Sequence, residues 1–322
     1  MSVLVVVEHD RGDLAPAALE CVTAARPLAD SLGGALEALL IGGDAGGSAA
    51  QLGRYGVATV HHADAPLLAD YGPEAWGAVV ADAVRAIAPR AALATGTDRG
   101  NEVMAHAAAR LDLPFAANCT SITPGEPVEL TRVRWGGSLL EHATMSGDVL
   151  LATFALHAVE ATPATTEGAA AVRRLDVDVD DRLARSVVRG RVEREAGVTL
   201  ATAPVVVGGG RGVGSADGFA PLEELASALG GVVGCSRAVT NNGWRNHTDQ
   251  VGQTGTRIAP EVYLACGISG AIQHWVGAAA SKHIIAINTD PDANMVTKAD
   301  QAVIGDLHEV VPAITAEIRR RS

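Results

Sequence analysis

The chain has 322 residues, 48% of them hydrophobic, which is enough to bury a sizeable core and long enough to favour two domains over one. A net charge of −12 without any stripe of Lys and Arg argues against a nucleic-acid footprint, and 3% aromatic content leaves little for base-stacking platforms or membrane-interface belts. Cys21, Cys119, Cys235 and Cys266 lie far apart with no C-x-x-C pair, as expected of reduced, buried thiols in a cytoplasmic protein and not of a metal site. The run "MSVLVVVEHD" has no basic n-region, and no segment reaches the ~18 uninterrupted apolar residues of a membrane helix.

Strand and helix patterns alternate along the first half. Residues 3–7 read as a buried strand, 14–32 as an Ala/Leu helix, 35–43 as a strand, 47–54 as a short helix and 57–63 as a strand. A helix over 74–88 opened by Pro73, a strand over 91–97 and a helix over 99–111 complete a β-α-β-α rhythm, which implies a parallel sheet with helices on both faces. From 115 to 156 strand-like pieces occur without long helices, and "EPVELTRVRWGGSLLEHATM" (126–145) predicts hairpins that finish or extend the sheet. The region 160–190, rich in Thr, Ala, Asp and Arg, reads as a domain boundary with one short connecting strand.

The second half repeats the rhythm. Strands are expected at 203–210, 231–237, 249–255, 261–270, 283–290 and 301–307, with a helix at 217–229 and another starting at about Gly270. The basic "RRRS" at 319–322 complements a helix C-terminus. All six apolar runs place Gly, Ser, Thr, Asn, Asp or Arg at the carboxyl end. In an open parallel sheet those ends share one edge, and ligands bind in the crevice beyond it at the topological switch point. Six in succession point to one elongated ligand, which a dinucleotide satisfies.

"GISGAIQH" offers first-turn amides, glycines that let a ligand approach and the hydroxyl of Ser269, a set suited to a diphosphate, although an ordinary tight βα turn would look the same. Arg211 in "GGRG" adds a planar donor fork. Asn288 and Asp306 suit ribose hydroxyls or an adenine edge, and equally suit turns or helix caps. His274 would face the ligand if Ser269 does; otherwise it is a packing residue. Arg237 and Thr254 are more informative. A guanidinium and a hydroxyl supply positive charge beside an electron-collecting ring and a hydrogen bond at flavin N5, and neither is a good general base. No G-x-S-x-G, H-E-x-x-H, Walker loop or carboxylate dyad is present, so a cofactor cradle appears without a device for bond chemistry.

The motifs "VVVGGGRGVG", "GCSRAV", "DQVGQTGT", "PEVYLACGISGAIQHWVG", "IIAINTDPDANM" and "QAVIGDLHEVVP", in this order over 203–315, closely resemble the α subunit of electron transfer flavoproteins. The first half resembles that family more loosely, in "LVVVEHDRGDLAPAALECVTAARPLA", "ATGTDRGNEVMAHAAARL" and "RWGGSLLEHATM". One local departure is "NNGWRNHTD" (241–249), outside the flavin motifs. The resemblance implies an α/β protein of two domains, each on a mainly parallel sheet with helices on both faces. Residues 1–190 would pair with a β subunit, and 191–322 would form a doubly wound FAD-binding domain.

By motif, the resemblance also implies FAD contacts at Arg211, Ser236, Arg237, Val251, Gly252, Gln253, Thr254, Ser269, Gly270, Ala271, Ile272, Gln273, His274, Asn288, Asp306 and Leu307. One non-covalent FAD is expected here, and AMP or a second FAD in the partner subunit. Such a pair ferries electrons from acyl-CoA or other flavin dehydrogenases, as in fatty acid β-oxidation, to a membrane quinone oxidoreductase or another acceptor. Two other readings stand beside the carrier: a self-sufficient FAD-dependent oxidoreductase with its own substrate, and a dinucleotide-binding regulatory module.

Overall fold

A computed structural model describes residues 1–165, 168, 170–190 and 198–321. Two compact units comprise Met1–Trp135 with Leu139–Val192, and Gly136–Ser138 with Glu193–Ser322. Part of the segment near 180–200 that the sequence marks as a linker, residues 191–197, lies outside the described residues, as does the last residue of "RRRS".

The first unit is built on a nine-stranded sheet. Strands β1 (Ser2–Val6), β4 (Ala35–Ile41), β5 (Thr59–Ala63), β6 (Ala91–Thr95), β7 (Phe115–Thr123), β8 (Val128–Arg134), β9 (Leu139–Met145), β10 (Leu150–Phe154) and β11 (Ala171–Arg174) take the order β11-β5-β4-β1-β6-β10-β7-β8-β9, while β2 (His9–Asp10) and β3 (Asp13–Leu14) form a small separate hairpin. Pairing is parallel from β11 to β7 and antiparallel through β8 and β9, as the strand-only stretch after residue 115 predicts. The strand expected in 160–190 exists as β11, and it pairs with β5 at the outer edge of this sheet.

Every residue of β1 is buried because both faces of the sheet are covered. Val3 and Val5 pack in one apolar cluster with helices α1 (Pro16–Ser31) and α2 (Ala45–Gly53), and Leu4 in the other with α3 (Pro73–Ile87) and α4 (Asp98–Leu111). Local chemistry sets the helix starts. Pro73 opens α3, and the side chains of Asp44 and Thr97 accept from Gly46 and Gly100 amides at the caps of α2 and α4.

The second unit holds five parallel strands, β12 (Val205–Gly209), β13 (Val232–Cys235), β14 (Val262–Cys266), β15 (His283–Asn288) and β16 (Gln301–Ile304), in the order β13-β12-β14-β15-β16. Helices α5 (Ala220–Ala228) and α9 (Leu307–Arg321) pack with one face, where Leu222, Leu264 and Val311 are buried. Tyr263, Ala278 and Met295 fill the other face, with α7 (Ile272–Ala278) and α8 (Asn294–Lys298). The short α6 (Arg237–Asn241) follows β13. The order reverses between β12 and β14, which makes their carboxyl ends the switch point.

Two sequence expectations need correction. Residues 249–255 form no strand: a 3-10 turn over His247–Asp249 leads into two isolated bridges, Cys235 with Gln250 and Val251 with Thr256. The chain turns back there because Gly252 takes φ +144° and its amide donates to Thr256 O at 3.2 Å. Helix α7 begins at Ile272 and not at Gly270, whose φ of +76° is left-handed and cannot continue a right-handed helix.

The four cysteines are buried and unpaired, and burial raises the thiols of Cys21, Cys235 and Cys266 to about 12 and that of Cys119 to about 11. Among the described residues, no helix is long and apolar enough to cross a membrane. Leu222 has no solvent exposure in the cluster under α5 and α9, so Leu222→Ala should lower the unfolding free energy by ~2–5 kcal/mol through lost burial and a residual cavity. Urea denaturation followed by circular dichroism checks this, and a loss below ~1 kcal/mol would contradict the packing described.

Candidate functional site

The turns after β12 and β14 meet backbone to backbone. The Gly210 amide donates to Cys266 O at 2.8 Å and the Gly212 amide to Gly267 O at 3.1 Å. A Cβ on Gly210 would overlap the Gly267 carbonyl, and Gly267 itself has φ +61°, so this approach requires glycine. Between Gly210 and Gly212, Arg211 opens a 3-10 turn, Arg211–Val213, and is exposed.

The other loops attach to this edge. Buried Ser236 follows β13 as the cap residue of α6, and exposed Arg237 is the first residue of that helix. The Val251 amide donates to Cys235 O at 2.8 Å, holding the 250–256 turn beside β13 with Gln253 and Thr254 exposed. That turn is fastened to α7 by the Gln253 amide on Gln273 O at 2.7 Å and the Ile258 amide on Gly277 O at 2.8 Å. In the β14 turn Ser269, Ala271, Ile272 and Gln273 are exposed, and a Cβ on buried Gly270 would overlap the Met295 amide. Asn288 donates through Nδ2 to Ile268 O at 3.0 Å and accepts from the Asp290 amide at 3.1 Å.

Arg211, Ser236, Arg237, residues 251–254 and 269–274, and Asn288 thus collect at linked turns of one sheet edge. Asp306 is also at a strand end, but its Oδ1 already accepts the His308 amide at 2.9 Å, which gives it the helix-cap role open in the sequence. The side chains of Val251 and Leu307 belong to the core, so only their backbone groups can meet a ligand.

The charges at the edge are unevenly paired. Arg245, in the segment 241–249 that departs from the family pattern, is held by Glu223 at 2.6 Å and Asp249 at 2.9 Å and lies over the Phe219 ring. By contrast, Arg211 and Arg237 make no ion pair among the described residues. A sheet edge with two free guanidiniums, exposed hydroxyls and glycine turns is equipped for an extended anion.

Residues 3–180 match the profile of the electron transfer flavoprotein domain, and residues 199–279 that of the electron transfer flavoprotein FAD-binding domain. An electron transfer flavoprotein subunit alpha from Bacillus subtilis (strain 168) is 34% identical over 320 residues, covering 99% of this chain and 97% of that protein. The protein of that name from Mycobacterium leprae (strain TN) is 36% identical over 322 residues, covering 99% and 98%. The chain belongs to the electron transfer flavoprotein α-subunit family.

The FAD-binding profile spans the site from Arg211 to His274; Asn288, Asp306 and Leu307 lie beyond it. Within the span His274 is 6% exposed, with Nε2 2.8 Å from the hydroxyl of fully buried Tyr263. Among the described residues its buried Nδ1 meets no side-chain partner, and the Val251 backbone is the polar group that bears on the ring. Buried polar atoms are nearly always fully satisfied, so a nitrogen with no more than that backbone contact fits a ligand that supplies a partner. The packing and ligand readings of His274 therefore hold for different nitrogens. Two participants escaped the sequence: Tyr263, hidden in an apolar run, and Gln250, which is 1% exposed and joins α6 to the 250–256 turn through Thr240 and Thr254. A Gln between two turn signals was the available clue.

Desolvation lowers the His274 pKa to about 4, partly opposed by the Val251 backbone. The unfolded value is ~6.5, so the folded state resists protonation. This contribution is fully present above pH ~6.5 and is lost as pH falls toward 4, by ~3 kcal/mol in all. The unfolding free energies of wild type and His274→Gln should therefore converge by about that amount between pH 7 and pH 4 in denaturant titrations. A gap independent of pH would show that His274 is not buried neutral.

Proposed function

We propose that this chain is the FAD-binding half of a heterodimeric electron carrier. It takes electrons from flavin dehydrogenases, acyl-CoA dehydrogenases among them, and passes them to a membrane quinone oxidoreductase or another acceptor. The observation that carries the reading is the unpaired state of Arg211 and Arg237 on the same edge as exposed Thr254 and Ser269. One non-covalent FAD would lie along that edge, its ring near Arg237 and Thr254 and its diphosphate near Ser269 and Gly270. Bound FAD supplies the redox chemistry. The chain's residues bind it, orient it and place a positive charge beside it. No substrate of the chain's own is required, so it acts as a carrier and not as an enzyme, in the cytoplasm.

The first unit, residues 1–190 in this reading, would hold the β subunit, which carries AMP or a second FAD. Its own sheet edge supports that division. The switch point there lies between β1 and β6, where Thr97 accepts from the Gly100 amide at 2.9 Å and donates to Glu8. Nearby, Thr153 donates to Asn101 Oδ1 at 2.7 Å and Asn101 to Asn118 Oδ1 at 3.1 Å. The Glu8 carboxylate thus takes the Thr97 hydroxyl at this edge, and the neighbouring polar groups satisfy one another. Residues 191–322 would be the FAD-binding domain, moving on the linker to meet successive redox partners.

Acid extraction of the assembled protein should release FAD, one per heterodimer; release of FMN or NAD, or of no nucleotide, would reject the site reading. Arg237→Ala should retain FAD with a dissociation constant raised about tenfold, corresponding to ~1.4 kcal/mol. Its midpoint potential should also fall, because a cation beside the ring favours the reduced, more negative flavin. An unchanged potential in spectroelectrochemical titration would remove Arg237 from the ring.

Subunit dependence is separable. Co-expressed with its β subunit, the chain should elute as a flavin-loaded heterodimer, and expressed alone it should be flavin-poor or poorly soluble. An FAD-loaded monomer that transfers electrons by itself would defeat the heterodimer.

A further inference from the structure

Gln250 is almost completely buried, yet its side-chain amide joins two surface elements at the site. Thr240 Oγ1, on the helix that begins with Arg237, lies 2.7 Å from Gln250 Oε1. Gln250 Nε2 lies 3.0 Å from Thr254 Oγ1. The backbone of Gln250 is fixed on both sides, its amide donating to His247 O at 3.1 Å and its carbonyl accepting the Thr256 amide at 2.7 Å. The side chain is thus a strut between α6 and the turn that exposes Thr254.

The chemistry of the strut is directional. A separation of 2.7 Å is normal for O–H···O and 3.0 Å for N–H···O, so the two distances agree with Thr240 donating to Oε1 and Nε2 donating to Thr254. An amide nitrogen cannot accept. The Thr254 oxygen therefore receives one hydrogen bond from Gln250, and its own proton must go elsewhere. No hydrogen bond donated by Thr254 occurs within the chain among the described residues, and the residue is exposed. Without Gln250 the hydroxyl could rotate to present either its lone pairs or its proton.

We infer that Gln250 is a positioning residue which fixes the Thr254 hydroxyl as a hydrogen-bond donor toward the bound flavin. The inference rests on the reading above that the flavin lies near Thr254. In the oxidised ring N5 carries a lone pair and no proton, so it calls for a donor. Thr240 is the second member of the relay: its Oγ1 lies 3.0 Å from Arg237 O as well as 2.7 Å from Gln250 Oε1, so its single proton is divided between two acceptors, the shorter contact favouring Oε1 and with it the amide end that leaves Nε2 facing Thr254.

The test is a double-mutant cycle on the full chain with its β subunit, reading the dissociation constant of oxidised FAD and the flavin midpoint potential. Thr254→Val and Gln250→Leu should each weaken FAD about fivefold, the worth of one neutral hydrogen bond, and shift the potential in the same direction. In the Thr254→Val background, Gln250→Leu should change affinity by less than about twofold and leave the potential unmoved, because its route to the flavin is already cut. Thr240→Val, more conservative, should give a smaller loss that also vanishes in that background, which keeps the test open if Gln250→Leu folds poorly. Additive losses, or a Gln250→Leu protein with wild-type affinity and potential, would overturn the role given to Gln250. If wild type binds FAD but Thr254→Val is indistinguishable from it, the placement of the ring is itself wrong, and the relay falls with it.

Discussion

The second unit depends on the contact between two turns that have no side chains to keep them apart. Gly212 reaches Gly267 and Gly210 reaches Cys266 through backbone hydrogen bonds at the reversal of strand order. In a doubly wound sheet this is the place from which successive crossovers leave toward opposite faces, and the crevice between them exists whatever the sequence. Its openness is a matter of composition. Any side chain on Gly210 would force the turns apart, and one on Gly267 would also require an L-residue at φ +61°. With the turns in contact, Arg211 is held on the edge between them while Val213 and Leu307 close the apolar core beneath.

Both units use the same parallel plan and treat their carboxyl edges in opposite ways. In the first, Glu8, Thr97, Asn101, Asn118 and Thr153 bond to one another, leaving little polar capacity for a guest. In the second, the backbone is as well connected, but among the described residues the guanidiniums of Arg211 and Arg237 make no ion pair. Exposed guanidiniums lose little by remaining in water, whereas an unsatisfied nitrogen in the interior is destabilising by ~1–3 kcal/mol. Among the described residues of this unit that cost bears on the buried Nδ1 of His274, eased in part by the Val251 backbone.

Much of this was legible in the sequence because parallel sheets bury both faces of their strands. Runs such as VLVV in β1 and VYLAC in β14 cannot be mistaken for amphipathic surface segments, and the glycines and polar residues after them mark the common edge. The 250–256 turn was not legible as such. Gln250 and Val251 are buried, so a short apolar-looking run there reads as a strand, while the features that bend the chain are the dihedral of Gly252 and a bond to Thr256. Nor could spacing distinguish cap from ligand at Asp306, since both uses place an oxygen at the same helix start. Tyr263 was invisible for a further reason: its hydroxyl fits beneath Gly208, where any Cβ would collide with it, and it meets His274 across the core.

The charge distribution explains why free cations persist at one edge of an acidic molecule. With a net charge of −12, an exposed arginine has carboxylates available in most directions. Arg245, Arg319 and Arg320 have all found one, and the pairs on the exposed C-terminal helix are of the kind that contributes little to stability. Arg211 and Arg237 differ: Arg211 is flanked in its turn by Gly210 and Gly212, and Arg237 follows Ser236 on the helix that carries Thr240. Carboxylates are nonetheless present at this edge, at Asp306, whose oxygen is turned to a helix amide, and at Asp290 and Asp292 beyond Asn288, where Asp290 caps the turn by accepting the Asp292 amide. The surrounding negative surface would repel a free anionic ligand within about a Debye length, ~10 Å at 0.1 M salt, and is largely screened beyond it. Retention of such a ligand must then come from contacts at hydrogen-bonding range, where orientation counts for more than net charge.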